Sequence, residues 1–300
     1  MDSVSRLPIV TEEHHVPSWS EDHLERLTQA CVDDLISAFG LGGVKHGRAV
    51  MESISRIPAR RLARQVLTYD ELVGESGLGT GGAWALQRLS RKCKIEGQEN
   101  VPRGGPLLLV SNHPGLADAV ALFAATPRDD LRVIAADRPF LETLPNTSRY
   151  LLTVAETSAG RSGVARAAAR HLRSGGAVLT FPGGSIEPDP AVLPGAVRAL
   201  DRWSASADFF ARLTPGLAVV PVVVSGVISP SALRNPLTRL RRSKRDREWL
   251  AATFQMLIPA LRNVDVRVQF GRPIHTKPGA AVGGTVIEET RRLMEFREAV

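Results

Sequence analysis

A histidine and an aspartate five residues apart are the side chains best suited to proton transfer. His113 and Asp118 lie in the segment Asn-His-Pro-Gly-Leu-Ala-Asp, directly after a short apolar run. On one continuous helix this spacing would turn them about 140° apart. Because Pro114 favours an extended residue before it and Gly115 permits a tight turn, a strand, a turn and a helix can bring them together.

If the two side chains meet, Asp118 accepts a hydrogen bond from one ring nitrogen of His113. The other nitrogen is then free to act as a base. The alternative is that His113 only satisfies the turn and Asp118 only caps the helix. The position of the pair after a strand favours a site, because the loops beyond the carboxyl ends of strands carry the chemistry in sheets of this kind.

The elements that position this pair are predicted from alternating apolar runs and helical segments. Such alternation predicts an α/β fold with a mixed, mostly parallel central sheet flanked by helices. Strands are expected at 107–110, 131–135, 177–181 and 218–224, with an edge strand at 264–270, and helices at 84–94, 116–125, 163–172, 195–210 and after a capping box formed by Thr285 and Glu288.

An N-terminal helical region is expected before the sheet. Ser20 can cap a first helix, and a second helix covers roughly residues 59–73. The glycine-rich stretch 74–82 is typical of a hinge or linker. We therefore expect a helical region with a linker over residues 1–82 and a second domain, which carries the site, over residues 83–300.

The composition predicts a folded protein with an anionic partner. Hydrophobic residues make up 43% of the 300 residues, which excludes extended disorder. Lys and Arg number 38 against 31 Asp and Glu, a net charge of +7 that favours an anionic membrane or a phosphate-bearing substrate. No signal peptide is recognisable and no apolar run reaches the ~18 residues of a membrane span. A cytoplasmic location is expected, with peripheral contact at the inner face of a membrane.

The densest basic run covers residues 239–247, Arg-Leu-Arg-Arg-Ser-Lys-Arg-Asp-Arg. Such a run is typical either of a surface that docks on anionic lipid or of a solvated helix face. Nucleic acid is not expected as a partner, because the run lacks interleaved aromatic residues and no nucleic-acid-binding module is visible. Cys31 and Cys93 lack the spacing of a disulfide framework or a zinc site, and no metal is expected.

Several segments in one order resemble the glycerolipid acyltransferase family, the group that contains lysophosphatidic acid acyltransferase. Residues 112–118 are similar to its H-x-x-x-x-D motif, and Phe-Pro-Gly-Gly-Ser at 181–185 is similar to its F-P-E-G-T block. Three further segments follow the family's order: the lead-in at 95–106, the Val-Pro-Val strand at 219–222 and the closing segment at 266–274. The resemblance therefore covers about residues 84–273.

The resemblance implies transfer of a fatty acyl group to a hydroxyl of a glycerolipid or lysophospholipid-like acceptor, as in phospholipid biosynthesis. The donor would be a thioester, acyl-CoA or acyl-ACP, which makes acyl carrier protein a candidate partner. No other cofactor is implied. By position, His113 would be the general base and Asp118 the residue that orients it.

Two departures from the family's pattern concern the substrate-binding parts. The Glu of the F-P-E-G block is Gly183 here, and an acid appears instead at Glu187. The family's phosphate-gripping arginine has no match at its own position. The backbone N–H groups of the glycine loop could hold a phosphate or an oxyanion, or form an ordinary turn. The residues expected to bind substrate are Asn112, Gly183, Gly184, Ser185, Glu187, Arg149 and Arg161.

Two other functions remain open at this point. A hydrolase of the same thioester would use His113 equally well, with water in place of the acceptor. No G-x-S-x-G elbow indicates a serine hydrolase, and Ser111 and Ser185 are weak candidates for a nucleophile. A lipid-binding or membrane-binding protein with weakened catalysis is the other alternative. The change from Glu to Gly183 would account for its loss of turnover.

Overall fold

The structure is a computed structural model that describes residues 18–42, 48–154, 158–276 and 281–295. Helices and strands alternate through most of this range. The helices are α1 (Glu21–Ala38), α2 (Arg48–Leu89), α3 (Leu116–Ala125), α4 (Pro139–Glu142), α5 (Pro145–Ser148), α6 (Ser158–Arg173), α7 (Ala196–Ala199), α8 (Ser206–Leu213), α9 (Pro230–Leu233), α10 (Lys244–Leu257) and α11 (Gly283–Glu295). The strands are β1 (Lys92–Glu96), β2 (Leu107–Ser111), β3 (Leu131–Ala136), β4 (Leu151–Val154), β5 (Ala177–Thr180), β6 (Ala218–Ser225), β7 (Asp265–Phe270) and β8 (Ile274–His275).

The strands form one mixed sheet in the order β1-β7-β6-β2-β5-β3-β4, with β8 paired to β6. The pairs that contain β2, β3, β4 and β5 are all parallel, whereas β7 and β8 run antiparallel to β6. The predicted α/β fold with a mostly parallel sheet is therefore confirmed.

One strand assignment was wrong. The segment 264–270 was predicted as an edge strand, but β7 lies between β6 and β1. The edge strand on this side of the sheet is β1, whose first residues were predicted to end a basic helix. Lys92, Cys93 and Lys94 instead pair in parallel with β7, because the alternation toward buried Ile95 suits a half-covered strand.

The core lies on both faces of the sheet, and β2 shows why. Every residue of β2 is fully buried. Since alternate side chains of a strand point to opposite faces, Leu107 and Leu109 pack with α2 and α3, whereas Leu108 and Val110 pack with α6, α8 and α11. A strand covered in this way holds the loop that follows it in a fixed position.

The glycine-rich stretch 74–82 is helical rather than a linker, and that prediction was wrong. It continues α2, with a kink at Gly77, where φ is +82°. Gly82 lies directly against α3, because a Cβ at this position would stand 2.7 Å from the carbonyl oxygen of Val120. The glycines therefore let two helices approach closely. The division of the chain at residue 82 stays a prediction.

The first helix agrees with its prediction and the last does not. Ser20 caps α1 by accepting a hydrogen bond from the His23 N–H, and the apolar stripe of α1 packs on α2. The last helix already begins at Gly283, so Thr285 and Glu288 lie inside it. Its cap is Asp208 from α8, which accepts hydrogen bonds from the N–H groups of Val282 and Gly283.

Two further features of the described helices bear on function and prediction. The predicted helix 195–210 is broken into α7, a short 3₁₀ turn and α8. Within the described ranges, no helix combines the length and the apolar character that crossing a bilayer requires.

Candidate active site

His113 and Asp118 meet as their spacing predicts. The chain leaves β2, turns at Pro114 and Gly115, and enters α3. Nδ1 of His113 lies 2.8 Å from Oδ2 of Asp118, and the same oxygen accepts a hydrogen bond of 2.9 Å from the Gly115 N–H. Asp118 is fully buried, whereas the side chain of His113 is 27% exposed. The acid is therefore fixed while the ring is open to a substrate.

The surroundings of the ring set its charge. Burial lowers the pKa of His113, but the negative charge of Asp118, its hydrogen bond to the ring and the charge of Glu187 together raise the pKa above its ordinary value. Because Asp118 accepts a hydrogen bond from Nδ1–H, the lone pair of the ring lies on Nε2. No described residue hydrogen-bonds to Nε2. Phe181 packs on the ring with 4.5 Å between centroids, and this contact limits its rotation.

Asn112 anchors the start of this loop. Its side-chain Nδ2 donates to the carbonyl oxygen of Val224 at 2.9 Å, and its Oδ1 accepts from the Val224 N–H at 2.8 Å. The side-chain amide thus extends the hydrogen bonding between β2 and β6 by one donor and one acceptor. Both side-chain polar atoms of Asn112 bond to the backbone of Val224, so the residue fixes the start of the His113 loop.

Glu187 lies beside His113, although the two residues are 74 positions apart. Its Oε2 accepts a hydrogen bond of 2.9 Å from the His113 N–H, and its Oε1 accepts one of 2.7 Å from the indole N–H of Trp203. Burial raises the pKa of Glu187, against the hydrogen bonds from Trp203 and from the His113 backbone, which lower it. The carboxylate is only 5% exposed, and its contacts are with protein groups.

Two contributors were missed by sequence reasoning. Trp203 follows α7 and supplies the indole donor to Glu187. Asp189 is fully buried, and its carboxylate accepts from the N–H groups of Gly226, Val227 and Ile228 just after β6. The only sequence signal was the run Glu-Pro-Asp-Pro at 187–190, where two acids alternate with residues that cannot donate a backbone hydrogen bond.

The other expected substrate residues are spread around the sheet. Gly183, Gly184 and Ser185 form the turn after β5, beside the His113 loop, and the N–H of Gly184 is engaged by the carbonyl oxygen of Phe181. Arg161 lies in the first turn of α6, after the carboxyl end of β4 and so at the same end of the sheet as His113. Arg149 precedes β4 and lies at the opposite end.

Part of the chain is similar to a known protein family. Residues 92–225 match the family model described as Acyltransferase. A solved structure that the chain resembles is the 1-acyl-sn-glycerophosphate (LPA) acyltransferase PlsC from Thermotoga maritima, with 14% identity, a TM-score of 0.43, and coverage of 93% of this chain and 94% of that chain. No curated protein sequence matches the chain. The matched segment carries the residues on which the resemblance was based, His113, Asp118 and the turn after β5, and this part of the chain is similar to the acyltransferase family.

Proposed function

We propose that this protein transfers a fatty acyl group from an acyl thioester to a hydroxyl of a glycerolipid or lysophospholipid-like acceptor. The observation that carries this proposal is the contact between Nδ1 of His113 and Asp118, which leaves Nε2 without a partner among the described residues. A base held in this way needs neither a nucleophilic side chain nor a metal ion.

The reaction follows from the position of Nε2. His113 takes the proton of the acceptor hydroxyl while the oxygen attacks the thioester carbonyl carbon. The tetrahedral intermediate then expels the thiolate, which receives the proton back from the imidazolium. The carboxylates of Asp118 and Glu187 stabilise the imidazolium between these steps, and their charges are the reason that the pKa of His113 is raised.

The acceptor's polar end is best placed at the carboxyl end of the sheet. Arg161 lies at that end, and Arg149 lies at the other. Of the two arginines expected to substitute for the family's phosphate-binding arginine, Arg161 is therefore the stronger candidate. Gly184 and Ser185 are exposed next to the His113 loop and are proposed to contact the substrates. Either acyl-CoA or acyl-ACP remains compatible as the donor.

Peripheral contact with an anionic membrane is part of this proposal. The basic run 239–247 carries exposed apolar side chains, Leu240 within it and Leu237 just before it, which are 65% and 47% exposed, and Trp249 on α10 is 44% exposed. Apolar groups that can enter the headgroup region, surrounded by arginines, are typical of interfacial binding. The lipid acceptor would then reach the protein from the bilayer surface.

A labelled acyl thioester separates the three candidate functions. We expect label to move to an added lysophospholipid, measured by chromatography of the extracted lipids. Release of free fatty acid alone would indicate the thioester hydrolase. Absence of any reaction with acyl-CoA and with acyl-ACP, together with binding to anionic vesicles, would indicate the lipid-binding alternative. The His113→Ala variant is the matched control for background transfer.

A further inference from the structure

The carboxylate of Glu187 holds the backbone of His113 and not its ring. Besides the side-chain bond from the His113 N–H, the Glu187 N–H donates to the carbonyl oxygen of His113 at 2.8 Å. The third bond, from Trp203, fixes the other carboxylate oxygen. Both sides of the His113 residue are thus tied to one glutamate from the loop after the neighbouring strand.

This arrangement needs empty space at Gly183. A Cβ at position 183 would lie 2.8 Å from both Cδ and Oε1 of Glu187, which is closer than such atoms approach. The backbone of Gly183 is not in the left-handed region that favours glycine. Its lack of a side chain is therefore explained by the carboxylate that fills the adjacent space.

We propose that Glu187 is a positioning residue for His113, and that Gly183 is required because the Glu187 carboxylate occupies the place that a side chain at 183 would enter. The acid that the family's pattern has at position 183 is thus supplied from four residues further along the chain. This inference rests on the proposed role of His113 as a base, and it adds the group that fixes the backbone of that base.

The proposal predicts coupling between two positions. Glu187→Ala is expected to lower kcat at least about 10-fold, with little change in the KM for the thioester, because the base is displaced and the donor site is not. Gly183→Ala is expected to produce a similar loss, because its methyl group pushes the carboxylate away. In the double variant the two losses do not multiply, because the methyl group no longer meets a carboxylate. Gly104→Ala is the matched control, since a Cβ there meets nothing within 4 Å.

A pH profile separates positioning from a general structural role. Removal of the Glu187 charge lowers the pKa of His113, so the acidic limb of kcat/KM in Glu187→Ala shifts to lower pH. Glu187→Gln, whose amide nitrogen cannot accept from one of the two donors, is expected to show the same shift with a smaller loss of rate. The proposal would be overturned if the losses of kcat from Glu187→Ala and Gly183→Ala multiplied in the double variant. It would also be overturned if the acidic limb of kcat/KM stayed in place in both Glu187→Ala and Glu187→Gln.

One measurement does not depend on turnover. The indole N–H resonance of Trp203, assigned by its absence in Trp203→Phe, is expected to move upfield in Glu187→Ala and in Gly183→Ala but not in Gly104→Ala. If those shifts appear while His113→Ala retains full activity, the contacts of Glu187 with His113 and Trp203 stand and the proposed function fails. If the resonance stays unchanged in both single variants, the positioning role of Glu187 is refuted.

Discussion

The segments that follow β2 and β5 each bring a buried carboxylate to His113, but the two carboxylates contact different parts of that residue. Asp118, from the β2 side, bonds the ring, and Glu187, from the β5 side, bonds the backbone. The β2 loop is short and its partners are five residues apart. The β5 loop reaches the same histidine through neighbouring parallel strands, so its contribution depends on the tertiary fold.

Asp118 and Glu187 therefore have different roles. Asp118 affects the chemistry of the ring, and Glu187 affects the position of His113. The ring contact decides which nitrogen is free and how basic it is. The backbone contact decides where the ring stands, and it is itself held by Trp203. Substitutions on the β2 side should therefore alter the rate and its pH dependence most, and those that affect Glu187 only indirectly should alter stability first.

The largest effect is expected from the base itself. His113→Ala should lower the rate of acyl transfer at least ~100-fold, because general-base catalysis is lost. Steady-state assays with a saturating thioester measure this, with thermal unfolding as the check on folding. Turnover like that of the unchanged protein would remove His113 from the mechanism.

A smaller loss of rate, accompanied by a change in the pH dependence, is expected when Asp118 is replaced. Asp118→Asn should lower the rate about 10- to 100-fold. Only neutral His113 is a base, so activity rises with pH through its raised pKa, and loss of the Asp118 charge lowers that pKa. The acidic limb of kcat/KM against pH should move to lower pH. A limb that stays in place would mean that Asp118 does not tune the ring.

Loss of the Trp203 hydrogen bond to Glu187 should affect mainly the free energy of unfolding. Trp203→Phe leaves one oxygen of a buried carboxylate without its donor, which costs about 1–3 kcal/mol in the free energy of unfolding. Urea denaturation measures this cost. We expect only a several-fold decrease in rate, because the bond from Glu187 to the His113 N–H remains. An unchanged stability would show that the indole contact is dispensable.

The smallest effect on chemistry is expected far from both loops. Replacing Arg239 and Arg242 by glutamine should weaken the free energy of binding to anionic vesicles by about 1 kcal/mol for each basic residue removed. Transfer to a detergent-solubilised acceptor should be unaffected. Co-sedimentation with vesicles of differing anionic-lipid content measures the change, and equal binding by the variant and the unchanged protein would contradict a docking role for the run 239–247.

The sequence predicted best where local signals were strong. The bounds of β2 and α3 agree within a residue, because a fully apolar run meets a Pro-Gly turn and then a helical pattern. The meeting of His113 with Asp118 followed from the same turn. Glycine misled the prediction at 74–82, because a residue without a side chain suits both a flexible chain and a close helix contact.

Long-range partners could not be predicted in the same way. The position of Glu187 four residues after Gly183 is visible in the sequence, but its bonds to His113 depend on β2 and β5 being neighbours. Nothing local marks Trp203 as the donor to that carboxylate. The antiparallel place of β7 likewise depends on which strands come together.

The close approach at Gly82 has a consequence for dividing the chain. The helix that contains it contributes Tyr69, Val73 and Leu78 to the same apolar cluster as α3 and the sheet. A fragment begun at residue 83 would expose the flank of the helix that carries Asp118 to water. This part of α2 therefore covers the core beside α3. Its removal is expected to displace Asp118, which orients the ring of His113.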